Sequence, residues 1–470
     1  MPDNPEICQA VSPWQTYSSS ESLEYPTTSQ NEFGKQIVAR CIGLLILAIA
    51  IPLGTLGLLR IVPSLRPQAK LYSGGTHYAH SAWPFRFERL GAPVVGLPLI
   101  TNVQILDLDG DGQNEILAAD AQANQIVMLK RQPDDSWLES VLIHDVSVPA
   151  HITVADLDQD GDLDIIIAVL GNIMPDDDVI GRVELFENRD GQYVRHVILD
   201  DVRRVADVQT GDFNGDGKLD LAVAVFGYSR GSILWLENLG DFRFRDHLLL
   251  EAPGTIHVPV GDFDGDGDLD ITAIVTQDEE ELWAFENQGD GTFTPRRLWL
   301  TINPDLGGAG LVAADLNGDG RLDLILPAGD NLEDFDAYPQ PYHGCYWLEN
   351  RGGWDFQMHR ISDLGGAYAA AVADFNGDGA QDVVLVSLTN DWLHSENASI
   401  IWLENDGRQN FTPWQIGSTP LHLVTVATGD LTGDGRPDIV AGSLNIRRPY
   451  RHLGRISAWF NAGGAKNEDR

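Results

Sequence analysis

From residue 83 onward the apolar positions fall into short runs separated by acidic, glycine-rich turns, and no helical period competes with them. The runs D-I-I-I-A-V from Asp164, D-L-A-V-A-V from Asp220 and D-V-V-L-V-S from Asp382 are β-branched and apolar on both faces. They predict strands buried on both sides. A second run ends in a shared signature: L-F-E-N at Asn188, W-L-E-N at Asn238, A-F-E-N at Asn287, and W-L-E-N at Asn350 and Asn405. Its aromatic and aliphatic residues pack, and its Asn with the Gly or Asp that follows makes a turn. A third strand follows, as from Phe242 or Phe293, and a fourth, such as H-V-P-V-G-D-F from His257, leads into the next acidic turn.

One segment breaks this pattern. Cys41 to Leu59 holds no charge and is fenced by Arg40 and Arg60. That length spans a hydrocarbon core of about 30 Å at about 1.5 Å per residue, so residues 37–60 are expected to form a single transmembrane helix in the lipid bilayer. A buried core helix would carry a polar face, and a cleaved signal peptide would have a shorter lead and a small-residue cleavage site. Pro52 is tolerable in lipid. Residues 1–36 read as a disordered polar tail, 61–82 as a linker and 465–470 as a C-terminal tail.

The acidic turns are one nine-residue motif repeated seven times, at 107–115, 156–164, 212–220, 262–270, 315–323, 374–382 and 430–438. Their spacing of 49 to 59 residues leaves one supersecondary unit per repeat and excludes the calcium β-helix, in which such motifs follow one another directly. Four antiparallel strands per unit, repeated radially, predict an all-β fold: a seven-bladed β-propeller over residues 83–464. The last unit lacks one strand. F-R-F-E-R-L-G at 85–91 supplies it, closing blade 7 by hydrogen bonds alone.

In D-x-D-x-D-G-x-x-D, side chains at the first, third, fifth and ninth positions converge because Gly at the sixth permits a sharp turn. An oxygen-only, carboxylate-rich set is the shell that Ca²⁺ takes, whereas softer metals want His or Cys. The expected ligands are Asp107, Asp109, Asp111 and Glu115; Asp156, Asp158, Asp160 and Asp164; Asp212, Asn214, Asp216 and Asp220; Asp262, Asp264, Asp266 and Asp270; Asp315, Asn317, Asp319 and Asp323; Asp374, Asn376, Asp378 and Asp382; and Asp430, Thr432, Asp434 and Asp438. Up to seven structural Ca²⁺ ions are implied, the loop with Thr432 departing furthest from the pattern. Empty loops would crowd uncompensated carboxylates together. The twelfth position is apolar, as at Val223 and Ala273, where an EF-hand has a bidentate Glu. Affinity should therefore be weak, about 10⁻⁴ to 10⁻³ M as in extracellular modules. Such sites stand empty at cytosolic calcium levels. Basic residues at the two ends of the apolar segment scarcely set an orientation, so calcium places the propeller outside, periplasmic or extracellular, and the N-terminus in the cytoplasm.

These loops with their W-L-E-N strands resemble the FG-GAP-like, or VCBS-type, repeat proteins, whose propeller is akin to that of integrin alpha subunits. The resemblance implies calcium loops on one face and ligand binding by the loops of the opposite face. No strict F-G-G-A-P string and no integrin-like downstream domain occur here, so an adhesion-receptor role does not carry over. The group includes adhesion and surface-binding proteins and some sugar-processing enzymes, and its fold alone does not settle function.

Charge and cysteine content sharpen this. With 70 Asp plus Glu against 31 Lys plus Arg, the formal charge is −39, which excludes a nucleic-acid partner. Of those acids, 24 stand at the four ligand positions of the seven loops. Cys8, Cys41 and Cys345 are too scattered for a disulfide framework, so calcium would do the stapling.

Long loops at 171–181, 327–344, 387–399 and 445–454 should lie opposite the acidic loops, and loops of that length are usually functional. Tyr338, Tyr342 and Trp392, with acids and amides beside them, look like a carbohydrate- or peptide-binding surface; solvated insertions without a ligand are the plain alternative. His151 and His257 each stand five residues before a loop's first Asp, where an inner strand enters the channel. Together with His343, His394, His422 or His452 they could ligate a transition metal or act as acid and base, although such histidines more often fill the channel mouth. No G-x-S-x-G, phosphate loop, zinc-type cysteine cluster or H-E-x-x-H is present. Three readings remain: a binding module for a carbohydrate or protein, a membrane-tethered sugar lyase or dehydratase, and a structural scaffold. Sequons stand at Asn397 and Asn410.

Overall fold

The computed structural model describes residues 75–463 except 175, 278, 304–305, 333–337 and 452. The expected tail, transmembrane helix, residues 61–74 of the linker, His452 and the C-terminal tail lie outside these. Among the described residues no helix is long and apolar enough to cross a membrane.

Seven antiparallel sheets make up the described chain. Blade 1 runs through strands Ile100–Leu106, Glu115–Asp120, Gln125–Arg131 and Trp137–His144, and blades 2 to 6 repeat this order up to Gly417. The inner strand of each blade leads into an acidic loop, and the second strand leaves it. In blade 4 the inner strand is split into Thr255–His257 and Val260–Gly261, with Pro259 between them. Proline cannot donate to a ladder.

Blade 7 takes its inner three strands from Leu423–Gly429, Asp438–Ser443 and Ile456–Asn461, and its outer strand from Phe85–Leu90. The register runs antiparallel from Phe85 opposite Asn461 to Leu90 opposite Ile456. This is the closure predicted from the missing strand. Phe85 then packs edge-on against Phe375 at 5.9 Å and Trp402 at 6.1 Å, joining it to blade 6. Residues 75–82, the end of the expected linker, are bonded to the propeller: Thr76 N–H donates to Asn390 Oδ1 at 3.0 Å and Tyr78 O–H to Asp363 Oδ1 at 2.6 Å.

The second strands are buried along their whole length, as in Asp164–Val169 and Asp382–Ser387. Each fully covered Ile or Val there contributes about 1.5–3 kcal/mol relative to exposure. The cores lie between blades. Ile166, Val183 and Leu185 of blade 2 pack on Val205, Val208, Leu221 and Val223 of blade 3. The second residue of each acidic loop wedges into such a seam, as Phe213 does between blades 3 and 4.

Candidate metal centres and central cavity

Backbone hydrogen bonds preshape each acidic loop. In blade 2, Asp156 accepts from Asp160 N–H and Gly161 N–H, each at 3.1 Å, and Asp160 accepts from Asp162 N–H at 2.9 Å. The sixth-position glycines of all seven loops have φ between +80° and +101°, a region that excludes most side chains. The ninth carboxylate ties the loop to the third strand: Asp164 accepts from Leu157 N–H at 3.0 Å and from Asn188 N–H at 2.8 Å. Asp270 does the same with Phe263 at 3.0 Å and Asn287 at 2.9 Å.

The donor chemistry fits a hard divalent cation. Asp156, Asp158 and Asp164 each offer an oxygen within 4.8 Å of the others, as do Asp262, Asp264 and Asp270, and Asp107, Asp109 and Glu115. Burial, with the neighbouring carboxylates, pushes Asp164 up to about 6 and Asp270 up to about 7. Among the described residues, no lysine or arginine pairs with the ligand positions of the second and fourth loops. In the third, fifth and seventh loops the seventh-position Lys218, Arg321 and Arg436 each fold onto the fifth-position carboxylate, Asp216, Asp319 and Asp434. Those loops, and the sixth, have Asn or Thr at the third position. Thr432 Oγ1 is buried and has no hydrogen-bond partner among the described residues, which suits a hydroxyl ligand.

The signature Glu also belongs to this face. Glu187 bears electrostatically on Asp158 and Glu286 on Asp264, and Asn376 Nδ2 stands 3.5 Å from Glu404 Oε1. Reading W-L-E-N as packing and turn misses this, although a charge repeated in an otherwise buried strand is the available signal. The signature Asn does more than turn the chain: Asn287 Nδ2 donates to Phe213 O of the preceding blade at 2.8 Å, and Asn350 Nδ2 to Phe263 O at 2.7 Å.

At the far end of the inner strands, the residues five before each loop's first Asp form a ring. Asn102, His151, Asp207, His257, Gly310, Ala369 and Thr425 all line one central cavity of about 530 Å³. A β-bulge precedes this position in blades 1, 2, 3, 4, 6 and 7. Side chains of the ring link blade to blade: Val103 N–H donates to Thr425 at 3.1 Å, Ile152 N–H to Asn102 at 3.2 Å, and Val258 N–H to Asp207 at 3.0 Å.

Asp207 is buried between the two histidines, its Oδ1 3.1 Å from His151 Nδ1 and its Oδ2 3.6 Å from His257 Nδ1. Burial alone would raise this carboxyl. His151, and after it His257, hold it well below the usual range. Burial lowers His151 despite the Asp207 charge. A carboxylate only accepts, so Nδ1 of His151 carries its proton and Nε2 is left as an acceptor. Among the described residues, the groups of three close ligand atoms are all in the acidic loops. The candidate partners stand elsewhere: His343 Nδ1 accepts from Gln340 and Gly366 N–H at 3.2 Å, and His422 is held by the Leu388 and Pro449 carbonyls at 3.0 Å.

Arg204 crosses the cavity mouth, its guanidinium 4.8 Å over Phe226 and its Nε donating to Asn172 O at 3.2 Å. It thereby pins loop 171–181. On the long-loop face Met174 is 55%, Val179 53%, Tyr228 49% and Leu393 79% exposed. Trp392, expected on the binding surface, is instead buried, donating from Nε1 to Leu388 O at 3.2 Å with its ring edge-on to His422. Tyr338 lines a second cavity of about 240 Å³ with Arg447 and Arg448. Asn397 is buried, its amide donating to Asp391 O at 2.7 Å, whereas Asn410 is exposed.

The sequence description "FG-GAP-like repeat" matches residues 107–167, 212–273, 262–326 and 374–441. No curated protein matches the chain. Among solved structures, one of BBS1N in complex with ARL6DN, soaked with lead, is similar over 81% of this chain and 97% of that one, with 10% identity and a TM-score of 0.49. The V. cholerae biofilm matrix protein Bap1 is similar over 82% and 90%, at 13% identity and TM-score 0.38. The Bacillus licheniformis rhamnogalacturonan lyase PL11 is similar over 80% and 75%, at 14% identity and TM-score 0.42. Likenesses at this level say nothing of function.

Proposed function

The chain belongs to the FG-GAP-like repeat family, and we propose that it is a membrane-anchored, calcium-binding propeller that recognises a carbohydrate or protein partner outside the cell. One observation carries the recognition reading: apolar side chains of three blades, Met174 and Val179 of blade 2, Tyr228 of blade 3 and Leu393 of blade 6, stand exposed in loops of the long-loop face. Apolar groups left in water on loops held by a rigid scaffold favour contact with a partner. Anchoring rests on the uncharged run Cys41–Leu59, and the outward placement rests on weak calcium loops. The full chain in nanodiscs, applied to an array of cell-surface polysaccharides and proteins with and without calcium, tests this. Binding that falls at least tenfold in Met174→Asp or Leu393→Asp supports the reading; binding unchanged by both would sink it.

The His151–Asp207–His257 group supports a second reading, a lyase or dehydratase acting on sugars in the central cavity. Two imidazoles with a buried carboxylate can hold and move a proton. Replacing His151 and His257 with Ala separates the two readings. An enzyme loses turnover of polysaccharide while keeping its melting temperature, whereas a binder keeps its affinity and has no turnover to lose.

A further inference from the structure

The third-strand signature reverses its charge once. Glu187, Glu237, Glu286, Glu349 and Glu404 occupy its third position in blades 2 to 6, and blade 1 has Lys130 there. Strand pairing puts Lys130 opposite Leu138 on the outer strand, so its main chain is held in the same place as the glutamates. Its ammonium contacts the Asp109 carboxylate and lies 2.8 Å from Asp111 Oδ2 and 3.1 Å from Glu115 Oε1. Those are the third, fifth and ninth positions of the first acidic loop. Lys218, Arg321 and Arg436 each reach the fifth-position carboxylate alone, from within their own loops.

We propose that the Lys130 ammonium is the resident cation of the first loop, so that this loop takes no calcium and at most six loops do. The inference rests on the reading that the other loops bind calcium. An ammonium that donates to Asp109 and Asp111 and stands beside Glu115 places a positive charge where a metal would sit. Calcium could enter only by expelling the lysine or by sitting against its charge.

The place of this exception in the fold gives it a use. Blade 1 faces blade 7 across the seam where the ring closes. There Arg131, standing where other blades have the signature Asn, donates to Thr432 O at 2.9 Å, and Asn114 Nδ2 donates to Asp430 O at 2.8 Å. A covalently attached cation offsets part of the negative charge on the blade 1 side of this seam when calcium is withdrawn.

The test is a calcium count by titration calorimetry on the full chain in nanodiscs, for the wild type and for Asp111→Ala, Asp160→Ala and Lys130→Glu, the two aspartates standing at the fifth position, which is Asp in every loop. The proposal expects Asp160→Ala to lose one equivalent, Asp111→Ala to lose none, and Lys130→Glu to gain one. Loss of an equivalent in Asp111→Ala overturns it. If Lys130→Glu fails to fold, the Asp111→Ala count decides alone. If the wild type binds no calcium, the general calcium reading fails; Lys130 is then judged by whether Lys130→Glu creates a site, and no gain there overturns the proposal.

Discussion

His151 Nδ1 lies 3.1 Å from Asp207 Oδ1, so blades 2 and 3 meet at the channel in a buried imidazole–carboxylate contact whose partners are 56 positions apart in sequence. Asp207 also accepts from Gln209 Nε2 at 2.9 Å and from Val258 N–H of blade 4 at 3.0 Å. One carboxylate therefore joins three blades.

Asp207→Ala should cost about 3 kcal/mol, because it leaves a buried amide and two imidazoles without their acceptor. Urea denaturation checks this. The Asp207 carboxyl is held below its unfolded value near 4. Its contribution is therefore complete above that value and is lost as pH falls through the folded one. A wild-type and Asp207→Ala pair whose stability gap stayed constant down to pH 2 would contradict the assignment.

His343 sets a second acid limit. Burial, and then the charge of Arg360, lower it to about 4. Nδ1 already accepts two backbone N–H groups, so a proton there would break both bonds. The unfolded chain binds protons near pH 6.5 and the folded chain near 4. Stability from this group is thus full above about 6.5 and falls across that window as pH drops, by about 3 kcal/mol in all. His343→Gln should flatten the urea midpoint between pH 7 and 4 relative to the wild type.

Asn287 is 1% exposed; its Nδ2 donates to Phe213 O at 2.8 Å and Leu269 O at 3.0 Å, and its Oδ1 accepts from Gly289 N–H at 3.1 Å. Asn287→Ala should cost about 2–4 kcal/mol by orphaning these groups. Asn410→Ala, at an exposed turn, should cost well under 1 kcal/mol by the same measurement.

Chelation should lower the melting temperature by many degrees, since the second and fourth loops each hold three converging carboxylates that, among the described residues, make no ion pair with a lysine or arginine. Asp160→Ala and Asp266→Ala, which remove the fifth-position carboxylate that every loop has, should each bring the calcium-loaded melt closer to the chelated one. Equal melts of the wild type with calcium and with chelator would refute the structural role.

Removing residues 1–91 deletes the outer strand of blade 7 and leaves the edge of Ile456–Asn461 unpaired. Open edges of this kind recruit other chains. The truncated chain should aggregate, whereas one that begins at residue 75 should stay monodisperse by light scattering.

The sequence by itself determined the seven repeats, the four strands in each, the acidic loops between inner and second strands, and the closing strand at 85–90. These are legible because each depends on local pattern: apolar runs for buried strands, a glycine where φ must be positive, and a strand missing at one end with its match at the other. The tertiary structure decided what the side chains do across blades. A one-residue bulge turns the ring at Asn102, His151, Asp207, His257 and Thr425 into the channel, and no local periodicity announces it. Lys130 enters an acidic loop 15 residues or more away in sequence, the signature Asn reaches the preceding blade, and Trp392 is drawn into its own loop rather than left on the surface. Neighbouring blades bring together residues about 50 positions apart, so these contacts are set by how the sheets are arranged around the axis. The residues on either side of each position in the chain carry no record of them.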